Sequence, residues 1–252
     1  MFSIARNTPF TLPIYCGPMA IFALRVSLPD RPGALGAVAS RIAAVRGDVV
    51  GIDILERHAD RAIDEFIVEL PDADGDLMPL LLSEIDEVDG VTVEEVHLLA
   101  DGARDGRMDA FETAAALLGE VTPEGVLDVL AERVQREHST TWTAVIDTEE
   151  GAVLASVGRP PAAAWLAAYV DGTRWQQLVA DGASQTGDIA SADIAWVDLA
   201  AWDVVLAVGR PGWPFRDHER RHLAALAALA DARWADLANR EARVAHPART
   251  VG

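Results

Sequence analysis

The chain has 252 residues, half of them hydrophobic, which is enough for two domains with a buried core each. Forty acidic residues against 21 Lys and Arg give a formal net charge of −19. Phosphate backbones and anionic membrane surfaces are therefore repelled, and neither nucleic acid nor a membrane is expected as a partner. The single cysteine, Cys16, excludes an intrachain disulfide and a cysteine-rich zinc pattern, which fits a reducing, cytoplasmic setting.

Residues 1–19 carry Pro9, Pro13, Gly17 and Pro18 and no continuous apolar core, so no signal peptide is read there and the leader is expected to be disordered. Nowhere does an apolar run reach the roughly 20 residues of a membrane-spanning helix. Leu24, Val26 and Leu28 then alternate at period two, predicting a strand over 21–28. Ala39, Ile42 and Val45 fall at helical spacing, predicting a helix over 34–46 that Gly47 ends as a left-handed cap.

The tight Asp30-Arg31-Pro32-Gly33 turn switches strand to helix. Backbone amides in the first helical turn lack intrahelical acceptors, so those after Pro32 are placed to favour a carboxylate. Strands follow over 49–56 and 62–70, then a helix over 77–87 that Asp76 is placed to cap, and a strand opened by Val91, Val93 and Val96. Asp72, Asp74 and Asp76 alternate as in a calcium loop, but Leu77 and Ser83 stand where that loop needs Gly and Glu, so a solvated turn is expected.

The run Asp30-Arg31-Pro32-Gly33-Ala34-Leu35, the glycine at 47 and the βαββαβ order together resemble the ACT domain, over about residues 20–100. That resemblance implies a ferredoxin-like α+β fold, side-by-side homodimers and regulatory binding of a free amino acid between two copies. It implies a ligand site at Asp30, Arg31, Pro32, Gly33, Ala34, Leu35 and Val49. Asp30 would accept from the ligand ammonium while the amides of Arg31 and Gly33 to Leu35 hold its carboxylate. The other reading of the same residues is that Pro32 and Gly33 shape the turn and Asp30 caps the helix. Val49 stands where amino-acid-binding members often carry an Asn contributed across the dimer interface.

A polar stretch over 101–107 reads as a linker, after which the composition shifts. All seven tryptophans lie beyond it, at 142, 165, 175, 196, 202, 213 and 234. Helical patterns over 108–120 and 123–138 precede strands over 141–147 and 152–157, a helix over 160–170, a polar segment, and strands over 188–199 and 202–209. A long helix is expected over 217–240, with 243–252 as a flexible tail. Leading helices, an antiparallel sheet and a long closing helix are similar to GAF domains, relatives of PAS folds, over 108–242. The resemblance puts that family's ligand loops at about 171–191, without a bilin-attaching cysteine or a cyclic-nucleotide motif.

His218-Glu219-Arg220-Arg221-His222 spells the H-E-x-x-H helix of zinc proteases, with both His on one helical face. The nearest downstream third ligand, Glu241, lies 19 residues past His222, about 28 Å along a continuous helix. A charged helix start is the expected reading, with no metal and no cofactor. Leu223, Leu226, Ala230, Trp234 and Leu237 make a stripe that serves as core or as a dimer contact. Gly158-Arg159-Pro160 and Gly209-Arg210-Pro211 repeat one phrase and are read as strand-ending turns.

The whole reads as a non-enzymatic regulatory homodimer: an ACT-like domain senses an amino acid and signals through a GAF-like domain to an unknown protein partner. The alternatives are a ligand-free dimerisation module and a zinc hydrolase.

Overall fold

The computed structural model describes residues 19–71, 77–99, 106–180, 193–199 and 203–245. Cys16 and most of the leader, the 72–76 loop with Asp76, most of the linker, the 181–192 stretch, Trp202 and the end of the tail lie outside the described residues. The chain divides into two compact units, Met1–Asp53 with Ala59–Ala103, and Ile54–His58 with Arg104–Gly252. Among the described residues there are two antiparallel four-stranded sheets and six helices, an α+β chain.

The first unit is built on β1 (Ala20–Pro29), α1 (Ala34–Ala44), β2 (Asp48–Arg57, whose residues from Ile54 onward group with the second unit), β3 (Arg61–Leu70), α2 (Leu77–Asp86) and β4 (Thr92–Leu98). Its strand order is β2-β3-β1-β4, the arrangement of split βαβ folds. Leu24, Val26 and Leu28 of β1, with Phe66, Val68 and Leu70 of β3, form the core with Val38 and Ile42 of α1 and Leu81 and Ile85 of α2. On the alternate register, Arg25 stands opposite Glu65 of β3 and Glu95 of β4. Its guanidinium is buried and reaches both carboxylates, Nε at 2.7 Å and Nη1 at 3.2 Å. A β-bulge at Glu94 explains a spacing the sequence leaves odd. It lets Val93 and Val96, three residues apart, pair with Val26 and Leu24 and pack on one core.

The end of α1 differs from the expected glycine cap. The left-handed residue is Arg46, at φ 65°, and Gly47 follows it. The Arg46 amide donates to Ala43 O (3.0 Å) and the Gly47 amide to Ile42 O (2.9 Å), the paired bonds of a Schellman motif. Glycine is required at 47 for space. A Cβ there would lie 2.8 Å from side-chain carbons of Ile42 and Leu70 and 3.0 Å from Ile42 O.

The second unit runs α3 (Gly106–Gly119), α4 (Pro123–Glu137), β5 (Trp142–Asp147), β6 (Ala152–Gly158), α5 (Ala163–Ala180), β7 (Ile194–Leu199), β8 (Val204–Gly209) and α6 (Asp217–Ala245). Thr122 caps α4, its hydroxyl accepting from the Gly125 amide, with Pro123 in the first turn. Strand order is β6-β5-β8-β7. Both faces of the sheet are apolar. Val145, Val204, Leu206 and Val208 meet α3, α4 and α6 on one side, while Ala144, Ile146, Val205 and Ala207 meet Leu166 and Val170 of α5 on the other. Helix α5 runs ten residues past the expected end at 170. Thr173 continues its buried stripe one turn beyond Val170, donating its hydroxyl to Val170 O, and Gly172 is tolerated at a cost of about 1 kcal/mol.

Two glycine substitutions separate strain from crowding. Gly33, at φ 91°, has open space where a Cβ would go, so Gly33→Ala is expected to cost about 1–2 kcal/mol through its dihedral alone. Gly47→Ala must displace Ile42 and Leu70 and is expected to cost ~1–3 kcal/mol. Urea midpoints of the two variants check both, and an unchanged midpoint for Gly47→Ala contradicts the packing described.

Candidate functional site

The turn between β1 and α1 is held by main-chain bonds. The Asp30 amide donates to Asp60 O (3.0 Å) in the neighbouring β2–β3 connection, and the Arg31 amide to Pro29 O (2.8 Å). Gly33 is the N-cap of α1 in a left-handed conformation, and no side chain caps the helix. Asp30 therefore does not take the capping role that one reading gave it. The Ala34 amide points to Arg31 O at 3.3 Å, and the Ala37 amide to Gly33 O at 3.0 Å. Among the described residues, the amides of Gly33, Leu35 and Gly36 have no acceptor. These three carry the partial positive charge of the helix start.

The remaining site residues separate into two groups. Asp30, Arg31, Pro32 and Gly33 are exposed, so the acid and the free amides share one accessible turn. Ala34 is buried in the core with its amide turned to Arg31 O, and Leu35 packs against that core, so of these two only Leu35 offers a free amide, against the expectation that both would bind. Val49 is partly buried against the same core, on edge strand β2, and β3 separates that strand from β1. Two strand spacings are about 9.6 Å, so within one copy Val49 does not adjoin the turn. Arg31, whose amide was expected to bind, already spends that amide on Pro29 O. Gly36 takes its place as a free donor; the rule for helix starts allowed that inference, because every amide of the first turn lacks an intrahelical acceptor.

The H-E-x-x-H segment is occupied by structural work. Glu219 Oε1 accepts from Arg210 Nη2 at 2.5 Å, and its Oε2 accepts from the Arg216 amide at 2.9 Å, the return half of a capping box. Helix α6 continues past residue 241, so the backbone separation from Glu241 stands. Among the described residues no group of three His, Cys, Asp or Glu is arranged to hold a metal ion. The stripe on α6 is core: Leu223, Leu226, Ala230 and Leu237 are buried against α3, α4 and the sheet, with Trp234 packed beside them.

Arg210 is the residue that its sequence phrase concealed. Buried at the end of β8, it donates to the carbonyls of Trp213 (2.9 Å), His138 (2.8 Å) and Pro214 (3.2 Å) as well as to Glu219. Its guanidinium also lies over the rings of Trp213 (4.5 Å) and Phe215 (4.0 Å). One side chain thus joins the end of α4, the β8–α6 connection and the start of α6. The matching Arg159 is exposed, so only the second copy of the phrase becomes a hub.

No protein-family model matches the chain, and no curated protein matches it. Among solved structures it is similar to the solution NMR structure of the ACT domain from the GTP pyrophosphokinase of Chlorobium tepidum. Identity is 14%, the alignment covers 34% of this chain and 93% of that domain, and the TM-score is 0.27. The class of the first unit is defined by its own βαββαβ order and its β2-β3-β1-β4 sheet. Among the described residues no helix is long and apolar enough to cross a membrane.

His138 gives the second unit a pH dependence. Burial above all, opposed by Glu219 and reinforced by the electrostatic effect of His222, Arg210 and His218, lowers its pKa from 6.5 to about 3. Folded His138 stays neutral while the unfolded chain takes up a proton below about pH 6.5, so stability falls as pH drops from there toward about 3. The slope from this group approaches about 1.4 kcal/mol per pH unit. His138→Phe is expected to flatten the pH dependence of the tryptophan-monitored urea midpoint between pH 6 and 4. Parallel profiles for the two proteins contradict the assignment.

Proposed function

We propose that this chain is a non-catalytic regulatory protein that senses a free amino acid at the β1–α1 turn of an ACT-like unit and passes the bound state to a GAF-like unit. The observation that carries the reading is the set of free Gly33, Leu35 and Gly36 amides in the same exposed turn as Asp30. An amino acid has the complementary pair of charges, a carboxylate for the amides and an ammonium for the acid. Strand β2 lies at the edge of its sheet, which supports a side-by-side homodimer formed along that edge. In such a dimer the ligand lies between copies. The GAF-like reading of the second unit is supported by its leading helices, its β6-β5-β8-β7 sheet covered on both faces, and its long closing helix. Transmission is then a coupling between two sites, and no bond is made or broken.

One observation favours a second reading, a dimerisation module without a ligand. Val49 offers no polar group and packs into its own core.

A thermal-shift panel of the twenty amino acids separates the two. Saturation at about 100-fold over Kd adds ~2.7 kcal/mol to stability, a rise of several degrees. Asp30→Ala is expected to abolish that rise while leaving the unliganded melting temperature within a degree. Every tryptophan lies in the second half of the chain, so a fluorescence change on binding reports transmission directly. No stabilisation by any amino acid supports the ligand-free reading and removes the sensor.

A further inference from the structure

Arg61 opens β3 and is the register partner of Pro29, the last residue before the β1–α1 turn. Its Nε and Nη2 both donate to Ser27 Oγ, at 3.1 and 2.8 Å, and its Nη1 donates to Gly90 O at 3.1 Å. Ser27 is buried on β1, and Gly90 lies in the connection between α2 and β4. Gly90 also packs closely on the base of the turn: a Cβ there would lie 3.0 Å from Pro29 Cγ. The residue before Arg61, Asp60, supplies the carbonyl that takes the Asp30 amide. Among the described residues that is the one main-chain bond from residues 30–33 to another connection. The turn is thus tied down by a segment that Arg61 anchors on β1 and on the α2–β4 connection.

We infer that Arg61 is a positioning residue for the proposed site. It sets the Asp60 carbonyl where it holds the turn, so that the Gly33, Leu35 and Gly36 amides stand in place before a carboxylate arrives. Donors held in advance spare a ligand the cost of ordering them. All three bonds of the guanidinium go to neutral acceptors, a hydroxyl and a carbonyl, so the anchor works through its shape. One edge of the planar fork grips Ser27 while the remaining nitrogen reaches Gly90, and a lysine ammonium has no such fork. The benefit to a ligand rests on the amino-acid-sensing reading. The hold on the turn is measurable with no ligand present.

The test is amide hydrogen exchange in the full chain carrying Arg61→Met, Arg61→Lys or, as a control, Arg41→Met, which removes an ion pair between α1 and α2 of the same unit. Both Arg61 variants are expected to speed exchange of the Asp30 amide about tenfold, the net strength of roughly one hydrogen bond. The amides of Ile42 in α1 and Ile85 in α2 are expected to keep their rates, and Arg41→Met to leave the Asp30 amide unchanged. Ser27→Ala is expected to match Arg61→Met, and the two together to do no more than either. Where an amino acid binds the parent protein, its Kd is expected to rise about tenfold in both Arg61 variants, with the fluorescence change at saturation retained. A parent protein that binds no amino acid removes the sensor reading and leaves the exchange rates to decide the role of Arg61. An unchanged Asp30 rate in Arg61→Met, an equal rise at Ile42 and Ile85, or a parent-like rate in Arg61→Lys overturns the positioning role.

Discussion

A glycine at the start of α1 is the constraint on which the first unit and its site both depend. Gly33 turns the chain out of β1 through a left-handed conformation, so that Val38 and Ile42 of α1 come down on Leu24, Val26 and Phe66. A helix that begins this way has no side chain to satisfy its first amides. The same choice that sets the helix on the sheet leaves Gly33, Leu35 and Gly36 as donors without acceptors among the described residues. In a chain with so large an acidic surplus, this is a local reversal of sign, built from backbone and therefore independent of pH. That positive charge suits a carboxylate. In the proposed sensor, discrimination between amino acids would fall to side chains that the turn itself does not provide.

The second unit is organised around a buried charge. Arg210 is enclosed by three carbonyls, one carboxylate and two aromatic rings. Removing a charge from water costs several kcal/mol, and only such a complete set of partners offsets it. The gain is geometric. The end of α4, the β8–α6 connection and the first turn of α6 share one anchor, and Glu219 serves both that anchor and the helix start. Arg25 of the first unit follows the same rule, with a glutamate in register on each neighbouring strand. Both arginines act as positioning groups within a single unit.

The strands and helices of the first unit were legible because their apolar residues keep one period for their whole length. The exceptions have particular causes. Val93 and Val96 share a face only because Glu94 bulges out, which a strict alternation cannot express. Gly47 marks the end of α1 correctly but for a different reason, since its position is crowded while Arg46 takes the left-handed turn. Helix α5 outruns its expected end because Thr173 can satisfy its hydroxyl within the helix and so extend a buried face. The turn proposed as the site is visible in Asp30-Arg31-Pro32-Gly33, and Gly36 is among the amides after Pro32 that the sequence leaves free, whereas the loss of the Arg31 amide to the carbonyl of Pro29 is a matter of loop geometry. Arg210 was hidden because its phrase occurs twice, and only tertiary burial distinguishes the copies.

The account rests on main-chain donors in one turn, and amide chemical shifts read those donors directly. In a 15N-labelled chain titrated with the amino acid that most raises the melting temperature, the amide protons of Gly33, Leu35 and Gly36 are predicted to move downfield together as they acquire an acceptor. Those of Arg31 and Ala37, already bonded to Pro29 and Gly33, are predicted to move far less. Saturating binding that leaves the three resonances unmoved would contradict the account.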